Sequence, residues 1–334
     1  DVYKRQSIPF AGEKTFVHEG GGRVNSRDML LRSIFLLVLL PLWCAAIKPY
    51  SPTIADPMLE PWRWREVDEL KGLGVLCMDQ APDGSYWFGG IGILARYNGM
   101  DVERIPFDDE LLSMISRDMP KPRARAILML DDDRLLAVVG RSLVLRDKGG
   151  WKVIVSNTGR AHFETRMEQS ADGSIWLLTR TKLWHVSKDV SEFREVATAP
   201  GNTFFPAFSI DPSGSIWLAH RTSHQRADLL QIPVREGRAA DETQWVSHRI
   251  PVQRPGVEAG LAVAGDGRIW YADNIGKNGL HAFNPAANRW DAPIGEDQHR
   301  NYFSMTSIEN GNIWVGGTGF LCAIRKDNTG FYSR

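Results

Sequence analysis

From residue 75 to residue 324 the chain alternates short apolar runs with clusters of Asp, Asn, Gly and Ser. Runs this short, rich in Ile, Val, Phe and Trp and bounded by turn formers, read as strands rather than helices. One local pattern recurs: a turn with Gly, then an aliphatic or aromatic residue, then Trp. It stands as Asp83-Gly84-Ser85-Tyr86-Trp87, Asp172-Gly173-Ser174-Ile175-Trp176 and Ser213-Gly214-Ser215-Ile216-Trp217. It returns as Asp266-Gly267-Arg268-Ile269-Trp270 and Asn310-Gly311-Asn312-Ile313-Trp314. A degenerate copy, Asp132-Asp133-Arg134-Leu135-Leu136, lies between the first two, and with Leu136 in the place of Trp the spacings are 49, 40, 41, 53 and 44 residues.

The pattern defines one structural unit. Asp-Gly and Asn-Gly are strong hairpin signals, because Gly takes the positive φ of a tight turn. An apolar run precedes each turn, as at residues 75–78 and 208–210, and a β-prone run with Trp follows it. A third run comes after a glycine pair, as in Ile93–Tyr97 and Phe320–Ile324, and a fourth lies at residues 102–105 or 151–155. Four short antiparallel strands every 40 to 50 residues, roughly, make a β-propeller blade. The expected fold is all-β: a propeller of four-stranded blades over residues 62–334, about six of them visible. The recurrent Trp87, Trp176, Trp217, Trp270 and Trp314, with the turn glycines Gly84, Gly173, Gly214, Gly267 and Gly311, are read as the structural repeat. Trp suits packing between blade sheets; the alternative is a ring of indoles stacking on sugars.

The N-terminal segment has a different character. Residues 29–46, MLLRSIFLLVLLPLWCAA, carry Arg27 and Arg32 on their flank and an apolar core from Ser33 to Ala46. That core is as long as a signal-peptide core and shorter than the ~20 residues of a membrane span. Cleavage after Ala46 is expected, with Ile47 as the mature start, residues 47–61 as a linker and an exported, periplasmic or extracellular domain. An uncleaved anchor is the alternative. Residues 1–28, opening DVYKRQ upstream of Met29, are read as non-native upstream sequence.

Composition adds exclusions. The chain has 334 residues, with 40 Lys plus Arg against 40 Asp plus Glu. A nucleic-acid binder would show a basic excess, and none exists. Of Cys44, Cys77 and Cys322, the first falls in the leader; the remaining two are too few for a disulfide framework and read as small buried hydrophobes.

These units resemble the two-component-regulator propeller family, whose repeat pairs an Ile-Trp-Phe-Gly-Thr-like strand with a Gly-Leu-x-Arg-Tyr-like strand. The first unit, Asp83 to Gly90 followed by Gly92-Ile93-Leu94-Ala95-Arg96-Tyr97-Asn98-Gly99, is the nearest match, and Asn310 to Phe320 is similar. The opening Trp64-Arg65-Glu66-Val67 and Gly72-Leu73-Gly74-Val75 also looks like the family's start; the resemblance covers about residues 62–325. It implies an extracytoplasmic sensor ahead of a membrane span and an output module such as a histidine kinase or diguanylate cyclase. It also implies seven blades in an intact protein, and so a chain truncated at its C-terminus, with residues 62–67 supplying a closing outer strand. The second unit (131–146) and the fourth, with an insert at 219–226, depart most from the pattern.

Little in the sequence points to catalysis. Gly89-Gly90-Ile91-Gly92 and Gly316-Gly317-Thr318-Gly319 lead into strands, so no helix N-terminus is offered to a phosphate. Asp131-Asp132-Asp133 reads as a solvated turn rather than a metal site. His220 and His224 lack the Glu of a zinc helix, and no nucleophile elbow occurs. No cofactor, metal or catalytic residue is expected. A ligand site is expected at the channel mouth, where segments leading into the inner strands carry Arg123, Arg125, Arg160, His162, Phe163, Phe204, Phe205, Glu258, Arg300, Tyr302 and Phe303. Arg with aromatics suits an anionic or sugar-like ligand, a small molecule or glycan. Self-association is the other partner reading. An exported lactonase- or lyase-like propeller, with Asn202, Glu258 and Asn301 around a channel metal, and a protein-binding scaffold remain as alternatives.

Overall fold

The computed structural model describes residues 66–334, apart from 116–120, 132, 157, 159–164, 236, 276–277, 295–300, 309–310, 319, 326–328 and 334; of 329–333 only the backbone is described. The chain divides into compact units at 1–57 and 58–334, and the described residues all belong to the second. The leader, the linker and Trp62 to Arg65 of the expected closing strand lie outside them.

Six four-stranded antiparallel sheets make a six-bladed propeller. Blade one is β1 (Cys77–Gln80), β2 (Tyr86–Gly89), β3 (Ile93–Tyr97) and β4 (Val102–Pro106). A short helix, α1 (Asp109–Met114), crosses to blade two: β5 (Ala124–Met129), β6 (Leu135–Val139), β7 (Ser142–Asp147) and β8 (Gly150–Val155). Blade three is β9 (Arg166–Gln169), β10 (Ile175–Leu178), β11 (Lys182–Val186) and β12 (Phe193–Thr198). Blade four holds β13 (Phe204–Ile210), β14 (Ile216–Ser223) and β15 (Arg226–Ile232), an inserted hairpin of β16 (Val234–Arg235) and β17 (Arg238–Ala239), and then its outer strand β18 (Val246–Arg249). Blade five is β19 (Ala259–Val263), β20 (Ile269–Asp273), β21 (His281–Asn284) and β22 (Arg289–Trp290). Blade six is β23 (Tyr302–Ser307), β24 (Ile313–Gly317), β25 (Phe320–Ile324) and β26 (Thr329–Ser333).

The repeat's turns close as the sequence requires. Gly84, Gly173, Gly214, Gly267 and Gly311 all have φ between 78° and 88°, a region costly for side chains with a Cβ. In the first, third and fifth turns the aspartate accepts the N–H two residues on: Asp83 from Ser85, Asp172 from Ser174 and Asp266 from Arg268. The degenerate second turn works without Gly, because Asp131 accepts from both Asp133 and Arg134. Its sheet is complete. The insert of blade four is not at 219–226. That stretch is the β14–β15 hairpin itself, with long arms and a register shift between Arg221 and Ser223, and the extra chain is the β16–β17 hairpin beyond it.

Each blade packs its Trp-bearing face on the next. Trp87 lies in the cluster shared by blades one and two, and Leu136 takes that role between two and three. Trp176, Trp217 and Trp270 do the same at the following three junctions. All four of these tryptophans are buried, and truncating one to Ala removes roughly 3–5 kcal/mol. Trp314 of blade six is half-buried. Five apolar clusters therefore serve five junctions, and among the described residues no such cluster joins blade six to blade one.

Candidate functional site: the central channel

The inner strands β1, β5, β9, β13, β19 and β23 line a channel. Pairing with the second strand fixes its layers. The residue opposite the repeat Trp, or opposite Leu136, stands eight positions before it in every blade: Asp79, Leu128, Glu168, Ser209, Ala262 and Thr306. Above this layer is a cavity of about 700 Å³, and below it one of about 570 Å³. Asp79, Leu128, Met167, Glu168, Met305 and Thr306 line both, so they form the waist of one passage.

The two carboxylates of the waist join neighbouring blades. Asp79 Oδ2 accepts the N–H of Met129 at 2.6 Å, and Glu168 Oε2 accepts that of Ile210 at 3.0 Å. Each bond runs to the inner strand of the next blade, one residue beyond its own ring position. Burial pushes the Glu168 carboxyl up to about 7, against the opposing pull of Arg166, the Ile210 N–H and the Ser209 hydroxyl. Although half-buried by surface area, this group meets only the confined channel, and desolvation dominates there. Burial also raises Asp79, opposed by the N–H groups of Met129 and Gln80. Cys77, beside the waist, donates from Sγ to the Ala124 carbonyl and is pushed up to about 12 by burial, so its thiol is inert at neutral pH. Cys77 and Cys322 are not joined in a disulfide.

Arg166 spans the upper cavity. It rises from β9, and its Nη2 donates to the carbonyl of Ala259 at 3.0 Å and to that of Phe303 at 3.1 Å, at the inner edges of blades five and six. Arg125, Glu258 and Phe303 line the same cavity with it.

The other residues marked in the sequence lie elsewhere. Arg123 is exposed beyond the rim, where its carbonyl accepts the Gly140 N–H. Phe204 is buried with the Arg180 and Arg221 guanidinium groups 4.2 and 5.2 Å from its ring centroid. Phe205 is in the cluster between blades three and four. Tyr302 is buried edge-on to Phe320. These three aromatics belong to the walls, and the reason is local. Inner strands β13 and β23 shift register between Phe204 and Ala207 and between Tyr302 and Ser304, and a bulge re-aims the side chains on its near side. Arg160, His162, Phe163 and Arg300 lie outside the described residues. Asn202 is exposed, and neither it nor Asn301 lines the cavity. Asp79, Arg166 and Glu168 were missed, although counting eight residues back from each Trp finds the carboxylates.

Among the described residues no three His, Cys, Asp or Glu side chains converge as a metal site. His185, His220, His224, His248 and His281 all lie off the channel lining; His162 and His299 are outside the described residues. His220 bonds Thr203, and His224 bonds Arg221. No helix among the described residues is long and apolar enough to cross a membrane.

No protein-family model and no curated protein sequence matches this chain. Solved structures do match its fold. Virginiamycin B lyase from Staphylococcus aureus superimposes with a TM-score of 0.58 at 12% identity, over 78% of this chain and 85% of that one. The extracellular domain of the putative hybrid two-component system BT3049 from B. thetaiotaomicron gives 0.54 at 16% identity, over 77% of this chain and 34% of that one. The corresponding domain of BT4673 gives 0.53 at 12% identity, over 79% and 33%. The chain thus spans about a third of these two extracellular domains and shares its propeller fold with sensor proteins and a lyase alike.

Proposed function

We propose that this propeller is an extracytoplasmic sensing domain of a two-component-type signalling protein, and that its ligand enters the upper channel. The observation that carries the reading is the upper cavity itself. It has the volume of a small-molecule site, and Arg125, Arg166, Glu258 and Phe303 converge on it from four blades. Charged groups of both signs beside an aromatic ring and a methionine-rich wall give orientation and contact area to a polar small molecule or glycan. The fold likeness to extracellular domains of hybrid two-component systems agrees with this role, as do the repeat motif and the leader read in the sequence.

The lyase reading draws on the same fold. One of its structures is described as catalytically inactive through replacement of a histidine. The described channel lining here contains no histidine, which favours binding over turnover. The deciding experiment is a panel of small acids, sugars and oligosaccharides read by melting temperature, with product analysis on every hit. Sensing predicts a ligand that raises the melting temperature and is recovered intact. Arg125→Ala and Glu258→Gln should abolish that shift, each measured against the variant's own unliganded melting temperature. A hit recovered as cleaved or eliminated product would replace the sensor by an enzyme.

A further inference from the structure

Outside the channel, the upper end of blade four carries an open groove of about 660 Å³. Gln225, at the tip of the β14–β15 hairpin, borders it, and Arg249 with the link that follows β18 supplies the rest: Ile250, Pro251, Val252, Gln253 and Arg254. Ile250 and Val252 are buried in the core between blades four and five, and the alternation leaves Arg249, Pro251 and Gln253 exposed. Gln225 and Arg254 are exposed as well. The link is tied at three points. Ile250 donates its N–H to the Ala227 carbonyl at 3.0 Å, Asn278 Nδ2 donates to the Arg254 carbonyl at 3.1 Å, and Arg221 Nε donates to the Pro255 carbonyl at 3.0 Å. The groove is thus set in place by the fold.

The described carboxylates of the flanking hairpins are already engaged. Asp228 stands across the ladder from Arg249, but it is buried, and both of its oxygens accept from Arg226 Nε, at 3.1 and 3.0 Å. Asp273, buried at the end of β20, accepts from Gly256, Tyr271, Ile275 and Asn278, and faces the charge of Arg221. Glu258, further along the link, lines the channel cavity. Gly276 and Lys277 of the β20–β21 hairpin lie outside the described residues and add no carboxylate. Arg226 offsets Asp228 and Arg221 offsets Asp273, which leaves Arg249 and Arg254 to set the charge of the groove.

A guanidinium fork matches a carboxylate or sulfate bidentately. A glutamine amide both donates to and accepts from hydroxyl groups. Two forks and two amides along one open groove therefore suit a chain that carries acid groups among hydroxyls. We infer that this groove is a second ligand site, outside the channel, and that it binds an acidic oligosaccharide of the uronate type. The site stands independently of the sensing role proposed for the channel.

Titration calorimetry on the full chain tests it, with tri-galacturonate as the probe and the methyl-esterified trimer and monomeric galacturonate beside it. The trimer should bind, weaken with added salt, and slow amide exchange at residues 249–254. Arg249→Gln and Arg254→Gln should each lower its affinity roughly tenfold, and the Lys variants, which keep the charge but not the fork, should lose less. Each variant's own melting temperature is recorded, so that lost binding is read only from folded protein. Unchanged affinity in the double Gln variant, or equal binding of the methyl ester, would overturn the site. Monomer binding as tight as that of the trimer would overturn the oligosaccharide and leave a free acid in its place. Protection confined to β1, β5 and β9 would move the anion into the channel and overturn the groove. Absence of trimer binding at low salt would also overturn the groove, and would leave the channel to the separate ligand panel.

Discussion

Trp217 and Trp176 hold the same place in adjacent blades but meet different neighbours. Trp217 Nε1 donates to Asp211 Oδ2 at 2.9 Å. The corresponding position is Ser170 in blade three and Ala81 in blade one, as the shared turn bonds Asp211–Ser215, Ser170–Ser174 and Ala81–Ser85 show. The indole N–H groups of Trp176 and Trp87 are accordingly buried without an acceptor among the described residues. Asp211 also accepts the N–H groups of Ser213 and Ser215 in the turn, so Asp211→Ala should lower stability by at least the roughly 1–3 kcal/mol of one orphaned buried donor, read as a lower denaturant midpoint at unchanged slope. Glu168 makes an opposite contribution. Its folded pKa lies above its unfolded value, so the folded state holds more protons and stability falls as pH rises from about 4.5 to about 7. Glu168→Gln should flatten that fall in pH-dependent melting; an undiminished slope would show that the carboxyl is not desolvated. At this scale the sequence was legible where side chains follow the strand alternation. Arg125, Glu258 and Phe303 reach the cavity. Phe204 and Tyr302 do not, because bulges that no local motif announces rotate them into the walls.

Strands and hairpins were the most legible features. Ile93–Tyr97 and Phe320–Ile324 have the bounds their patterning gives, because a hairpin's limits depend on its own residues. The insert of blade four was misplaced because the long arms of β14 and β15 resemble loop chemistry: residues 221–226 are all polar, yet Arg221, Ser223 and Arg226 are paired across the hairpin. Two glycines show how context sets the cost of a side chain. A Cβ on Gly214 meets no atom within 4 Å, although φ is +85°. Gly214→Ala should cost only about 1 kcal/mol through backbone strain. A Cβ on Gly260 would stand 2.8 Å from the Met305 nitrogen, so the inner strands of blades five and six would be forced apart. Gly260→Ala should destabilise the protein well beyond Gly214→Ala in the same denaturant titration; equal losses would mean that blade six yields freely.

For the molecule as a whole, the sequence indicated the number and order of blades because the Trp period is carried in every unit but one. The channel's contents were hidden, because a ring assembles residues from six distant segments and each looks unremarkable alone. Residues 79 and 168 become a layer only after the inner strands are set side by side. The uneven junctions have a further consequence. A ring sealed evenly all round has no first unit to lose, whereas among the described residues five apolar clusters run in series from blade one to blade six. Such an array should fray inward as a zipper does, each unit protected by its neighbours. Amides of β1 and β23 should exchange first and those of β10 and β14 last. Heat would then peel this protein from its ends rather than shatter it.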